Sequence, residues 1–191
     1  RVQKSGARFD EKRLLWLNGA HIRNIPVDKL YEYVSPWDDN PQKDGGQTGF
    51  WPESAYSPSI TKEYRMKVLA LAQDRLKMFE DLRGFGYFFA EPEINLELID
   101  GNKQLKKLSD SERRELLETA RAELAKLAGW TPESIQNCLN KLLEITGQKP
   151  GILFSLIRIA VTWAPFSPQL NDTLALIGQE KTLRRLDGYI S

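Results

Sequence analysis

Cysteine, histidine and net charge are nearly missing from this chain, and each shortage closes off a class of function. A single cysteine, Cys138, excludes an internal disulfide and fits a reducing compartment. With His21 the only histidine, a zinc site built from Cys and His ligands is not to be expected. Charge of one sign is missing too. The 27 Lys and Arg meet 26 Asp and Glu for a net charge of +1, so any nucleic-acid site must be local rather than a global basic field. No apolar run is long enough to cross a membrane, and no signal peptide is expected. Gly45-Gly46 has the wrong flanks for a phosphate-cradling loop, and no acid–base pair or metal set stands out. No residue is therefore assigned a catalytic or metal-binding role. The first residue is Arg1 rather than Met, and the chain reads as a fragment.

What is present is helix after helix. The 191 residues suit one or two domains with a real core. Asp10 is a fitting N-cap for a helix to Arg23, the most locally basic stretch with Lys12, Arg13 and Arg23. A short helix over 26–34 follows, then a loop over 35–59 rich in Pro, Gly, Asp and Ser. Its Trp37, Phe50, Trp51 and Tyr56 are expected to pack back onto the body. From about 60 to 90 a helical pattern sets Val68, Leu71, Ala72, Leu76, Phe79 and Leu82 on one face, until Gly84 and Gly86 break it. Residues 92–108 form a polar connection. Ser109-Asp110-Ser111-Glu112 is a capping box for a helix to about 128, and Thr131-Pro132 starts another that ends at Gly147. Cys138 and Trp130 are expected in the core. The fold class is all-α.

The chain is organised around 150–187. Residues 151–162 are almost wholly apolar, except that Ser155, Arg158 and Thr162 share one stripe. An isolated buried guanidinium is costly, so Arg158 either pairs with a carboxylate or faces a polar groove, and periodicity does not choose. In the corner WAPFSPQL, Ser167 is expected at the N-cap of the next helix and Pro168 at its first position. Helices over 168–177 and 179–190 follow, divided by Gly178, with Lys181, Arg184 and Arg185 expected on the exposed side of the last.

Several of these segments resemble bacterial-type glutamyl-tRNA synthetases. Lys4, Ser5, Phe9, Asp10, Trp16, Leu17, Asn18, Ile22 and Arg23 match the stretch that follows the catalytic core of that family. Arg75, Phe79, Asp81, Phe88 and Phe89 align with a second pattern. The Gly-Trp-Thr-x-Glu start at 129–133, Arg158, the Ser-Pro-x-Leu turn at 167–170 and the Leu-Ile-Gly-Gln-Glu run at 176–180 give the rest in register. His21 stands where the family has Tyr, Leu156 where it has Pro, and Trp163 where it has Gly.

The resemblance implies a stem-contact segment over 1–58, a first helical anticodon-binding subdomain over 59–129 and a second over 130–191. It implies recognition of tRNA(Glu) by the C-terminal part of a class I synthetase. Lys12, Arg13, Asn18 and Arg23 would meet the tRNA stem. Arg158 would contact an anticodon base, Ser167, Pro168 and Leu170 would shape the pocket for the first one, and Gln73 and Arg75 would lie at the third. Some members carry Arg at the Gln73 position, so tRNA(Gln) is the second candidate ligand. The His-Ile-Gly-His and Lys-Met-Ser-Lys-Ser signatures are absent. ATP and magnesium would therefore serve the parent enzyme, with no cofactor in this fragment. The resemblance further implies a monomer in the cytoplasm or an organellar matrix, without DNA or membrane as a partner. The alternative is a helical protein-interaction module that has lost RNA binding. A helix-turn-helix DNA reader is disfavoured for want of a basic recognition helix.

Overall fold

The computed structural model describes residues 10–35 and 49–191, and among them every regular element is helical. Helix α1 (Glu11–Arg23) begins where Asp10 accepts a hydrogen bond from the Arg13 N–H at 3.1 Å. Helix α2 (Val27–Val34) follows Pro26. Helix α3 (Lys62–Ala72) is capped by Thr61, whose Oγ1 accepts from the Tyr64 N–H. Helix α4 (Glu97–Asp100) is a single turn. The capping box at Ser109 opens α5 (Asp110–Ala125), with Glu112 reaching back to the Ser109 N–H at 2.7 Å. Thr131 and Pro132 start α6 (Pro132–Thr146), which Gly147 closes at φ 63°, a left-handed conformation suited to glycine. Then come α7 (Pro150–Thr162), α8 (Leu170–Ile177) and α9 (Gln179–Ile190).

The helices enclose one apolar cluster that runs from Ile22 through Leu69, Leu76 and Leu117 to Leu186. Its large side chains are fully buried, each stabilising the fold by roughly 1.5–3 kcal/mol. Helix α5 packs most extensively along α9, α6 lies against α8, and α3 bridges α2 and α8. Helix α1 docks on residues 73–75. Gly19 permits that approach, because a Cβ there would meet the Leu76 carbonyl oxygen at 3.1 Å.

Four local expectations are corrected. The pattern over 60–90 is not one helix: α3 gives way to a 3₁₀ turn at Gln73–Arg75, an extended Leu76 and a kinked 3₁₀ run at Phe79–Phe88. The same apolar stripe persists because 3₁₀ turns keep neighbours three apart on one face. The connection 92–108 contains α4 and a turn at Leu105–Lys107. Helix α8 starts two residues later than expected, at Leu170 with Gln169 as N-cap, so Ser167 caps nothing. Arg185 is buried rather than exposed. The aromatics of the 35–59 loop do pack inward where described: Trp51 is buried with its Nε1 donating to Ser35 Oγ at 2.7 Å, and Phe50 and Tyr56 lie against the core. Trp37 lies outside the described residues.

Candidate nucleic-acid interface

Helix α7 carries the site because it is apolar on every face but one. Leu153, Leu156, Ile157 and Ala160 are buried, which fixes the helix rotation and leaves Arg158 half-buried at the edge of the core. The Arg158 Nε donates to Ser167 Oγ at 2.9 Å, and Ser167 in turn donates to the Pro168 carbonyl at 2.9 Å. This relay is what Ser167 does in place of capping α8. The two terminal nitrogens of Arg158 find no acceptor among the described residues, and no carboxylate figures among the charges that act on the group. Burial pushes its pKa down, the charge of Arg75 adds to this, and the Tyr87 hydroxyl pulls weakly the other way. Arginine stays protonated regardless, so the corner holds a partly desolvated cation with up to four unused N–H donors.

Tyr87 is near enough for its hydroxyl to feel the charge of Arg158. The ring is buried and the hydroxyl has no hydrogen-bond partner among the described residues. Burial drives its pKa far up, with a smaller opposite pull from Arg158. An orphaned buried hydroxyl costs roughly 1–3 kcal/mol, and Thr173, Thr182 and Tyr189 carry others among the described residues. Phe85 meets Tyr87 at 6.1 Å and Phe166 at 6.0 Å, so an aromatic wall runs from the buried hydroxyl out to the corner.

The corner itself is tightly built. Thr162 Oγ1 donates to the Arg158 carbonyl at 2.8 Å and accepts from the Ala164 N–H at 3.3 Å. Trp163 is left-handed at φ 45°, a conformation that costs a side chain roughly 1–2 kcal/mol, and its ring stacks on Tyr189 at 5.8 Å. Trp163 thus fills the space between α7 and α9. Beyond Ser167, Pro168 and Arg75 face each other across a cleft of about 360 Å³ that Asp74, Gln169 and Asp172 also line.

Arg158, Ser167, Pro168 and Arg75 are therefore gathered at one corner. Leu170 and Gln73 are not. Leu170 is buried in the core, and Gln73 is 8% exposed with its side-chain nitrogen donating to the Ile22 and Ile25 carbonyls at 2.8 and 2.7 Å. Both Gln73 N–H groups are committed to the α1–α2 turn, so the expected base contact there requires breaking a structural clamp. On α1, Lys12, Arg13 and Arg23 are exposed, while Asn18 donates its Nδ2 to the Lys77 carbonyl. His21 is exposed, Cys138 is buried, and the partly buried Trp130 donates to the Leu174 carbonyl at 2.8 Å. Tyr87, Phe85 and Phe166 were not singled out from the sequence. The aromatic cluster at 85–89 was the available signal, but nothing local marks one hydroxyl as unpartnered.

The profile of a family described as an anticodon binding domain matches residues 29–190. A glutamate–tRNA ligase of Roseiflexus castenholzii is 33% identical over all of this chain and 36% of its own length. The glutamate–tRNA ligase of Chloroflexus aurantiacus is 30% identical with the same coverage. Among solved structures, a glutamate tRNA ligase from Elizabethkingia meningosepticum superposes with a TM-score of 0.68 at 19% identity, over 98% of this chain and 33% of that one; it supports the all-α fold. The chain thus spans about a third of the length of these relatives, at their C-terminal portion. It belongs to the anticodon-binding domain family, as a homologue of the C-terminal part of glutamate–tRNA ligases.

Proposed function

We propose that this chain binds tRNA(Glu) and reads its anticodon at the Arg158 corner, as part of a glutamate–tRNA ligase. One observation carries the reading: a half-buried guanidinium, held by Ser167 through Nε, keeps its terminal donors without an acceptor among the described residues. Sequence-specific RNA recognition splays out loop bases and hydrogen-bonds their edges, which calls for such pre-positioned donors. Pro168 and Arg75 would bound the neighbouring base. Lys12, Arg13 and Arg23 would meet backbone phosphates, which add affinity without sequence information. Glutamate activation with ATP and magnesium falls to the rest of the whole enzyme. The protein acts as a monomer in the cytoplasm or an organellar matrix.

With Gln73 locked into the α1–α2 turn, discrimination at the third anticodon base rests on Arg75 and is weak, which leaves tRNA(Gln) as a second ligand. The test is binding of this chain to glutamate tRNA transcripts, intact and with each anticodon base changed, at two salt concentrations. Salt-sensitive binding that falls when the first or second base changes, and tolerates change at the third, is expected. Binding blind to the anticodon would overturn the reading.

A further inference from the structure

We propose that the ring of Phe166 is the stacking platform for the base whose edge Arg158 reads; the proposal rests on the tRNA-binding reading above. Phe166 is 46% exposed, although it neighbours the buried Ser167 and touches the buried Phe85. Its position is fixed by a chain of contacts. Arg158 bonds to Ser167, Ser167 follows Phe166 in the chain, Phe166 meets Phe85 at 6.0 Å and 75°, and Phe85 meets Tyr87 at 6.1 Å. Phe166 is therefore a half-exposed ring one residue from the serine that holds Arg158.

The ring is also held still. Pro165 and Pro168 stiffen the backbone on either side. The ring lies over Gly84, where a Cβ would stand 3.4 Å from its tip. A rigid aromatic left half in water contributes little to folding through its open surface. Its place beside unused guanidinium donors gives that surface a use. Reading a splayed base takes two contacts at once, one on its edge and one on its face. The edge contact depends on base identity, whereas the face contact does not, because every base has a π-face.

The experiment compares the chain with its Phe166→Leu, Phe166→Tyr and Arg158→Ala variants, bound to the anticodon stem-loop of glutamate tRNA. Leucine keeps an apolar contact with Phe85 and lacks a face to stack, while tyrosine keeps the face. Phe166→Leu is expected to weaken binding about tenfold by the same factor on cognate and base-changed loops, as loss of one base–aromatic stack does. Phe166→Tyr is expected to bind like the parent, and Arg158→Ala to lose selectivity as well as affinity. A loop made abasic at the stacked position should bind the parent and Phe166→Leu equally. Thermal unfolding of Phe166→Leu within a degree or two of the parent separates lost contact from lost fold. Parental binding by Phe166→Leu while Arg158→Ala is impaired would overturn the platform and leave the tRNA reading intact. A Tyr variant as weak as the Leu variant would overturn stacking as the cause. Absence of RNA binding in the parent chain itself would sink both.

Discussion

Two arginines set into the core, 27 positions apart, are treated in opposite ways. Arg185 on α9 is 7% exposed and its fork is almost fully engaged: Nε bonds Glu91 at 2.9 Å, Nη1 the Val161 carbonyl at 3.1 Å, and Nη2 the Tyr87 and Ala90 carbonyls at 2.9 and 3.1 Å. It ties the end of α7 to the 79–91 segment and to α9. Arg158 on α7 has Ser167 alone. Both act on the same part of the fold, since the Tyr87 carbonyl accepts from Arg185 and the charge of Arg158 is felt at the Tyr87 hydroxyl. A planar fork with five donors suits either task. What separates a strut from a proposed reader is how many of those donors the protein itself uses.

The comparison breaks most visibly at Arg185. Replacing it with Met takes this donor from three carbonyls and leaves Glu91 with Arg184 alone, and each buried acceptor left unsatisfied costs about 1–3 kcal/mol. Urea denaturation should show that loss, with selectivity for the anticodon unchanged where the variant is folded. Arg158→Ala should do the reverse. Its stability stays close to the parent's, whereas affinity for the cognate loop falls by roughly 1–3 kcal/mol. Arg158→Lys should not restore binding, because an ammonium cannot present the same planar pair. Comparable unfolding costs at the two positions would erase the distinction between them.

The contrast also shows where sequence reasoning stops. Elements signalled by neighbours in the chain were legible: the Ser109 capping box, the Thr131-Pro132 start, the Gly147 stop and the apolar run of α7. The candidate corner was legible too, since a lone arginine in an apolar helix has to be accommodated somehow. Arg185 was misread, and the clamp at Gln73 was not foreseen, because they bond to backbone carbonyls as far as 98 and 51 residues away, and a carbonyl has no sequence signature. The same holds for Ser167, whose Ser-Pro context reads as a cap until the side chain of Arg158 is present to claim its Oγ.

Trp163 stands between the two arginines, ending the helix of one and flanking the other together with Glu91 and Arg184. Its left-handed backbone offers a smaller test of how tightly the regions are joined. Trp163→Ala loses the stack on Tyr189 and keeps the strain, whereas Trp163→Gly loses the stack and relieves it. The glycine variant should be the more stable of the two by about 1 kcal/mol. Equal stabilities in thermal unfolding would mean that the corner relaxes once the indole is gone.

The finest separation is by acid. Burial alone would raise the Glu91 carboxyl, but hydrogen bonds from Arg185 and Arg184, with their charges, outweigh it and hold the group below its ordinary value. A carboxyl depressed in the folded state adds stability that is present above the unfolded value of 4.5 and lost as pH falls through the folded one. Glu91 is half exposed, so solvent screening holds that contribution to about 1 kcal/mol or less. Glu91→Gln should be the less stable protein at pH 7, and its deficit should shrink steadily below pH 4.5. Arg158→Ala removes no partner from any carboxylate, so its stability should run parallel to the parent's through the same acid range. A constant deficit for Glu91→Gln down to pH 2 would mean that Arg185 is held by its three carbonyls, with the ion pair contributing nothing.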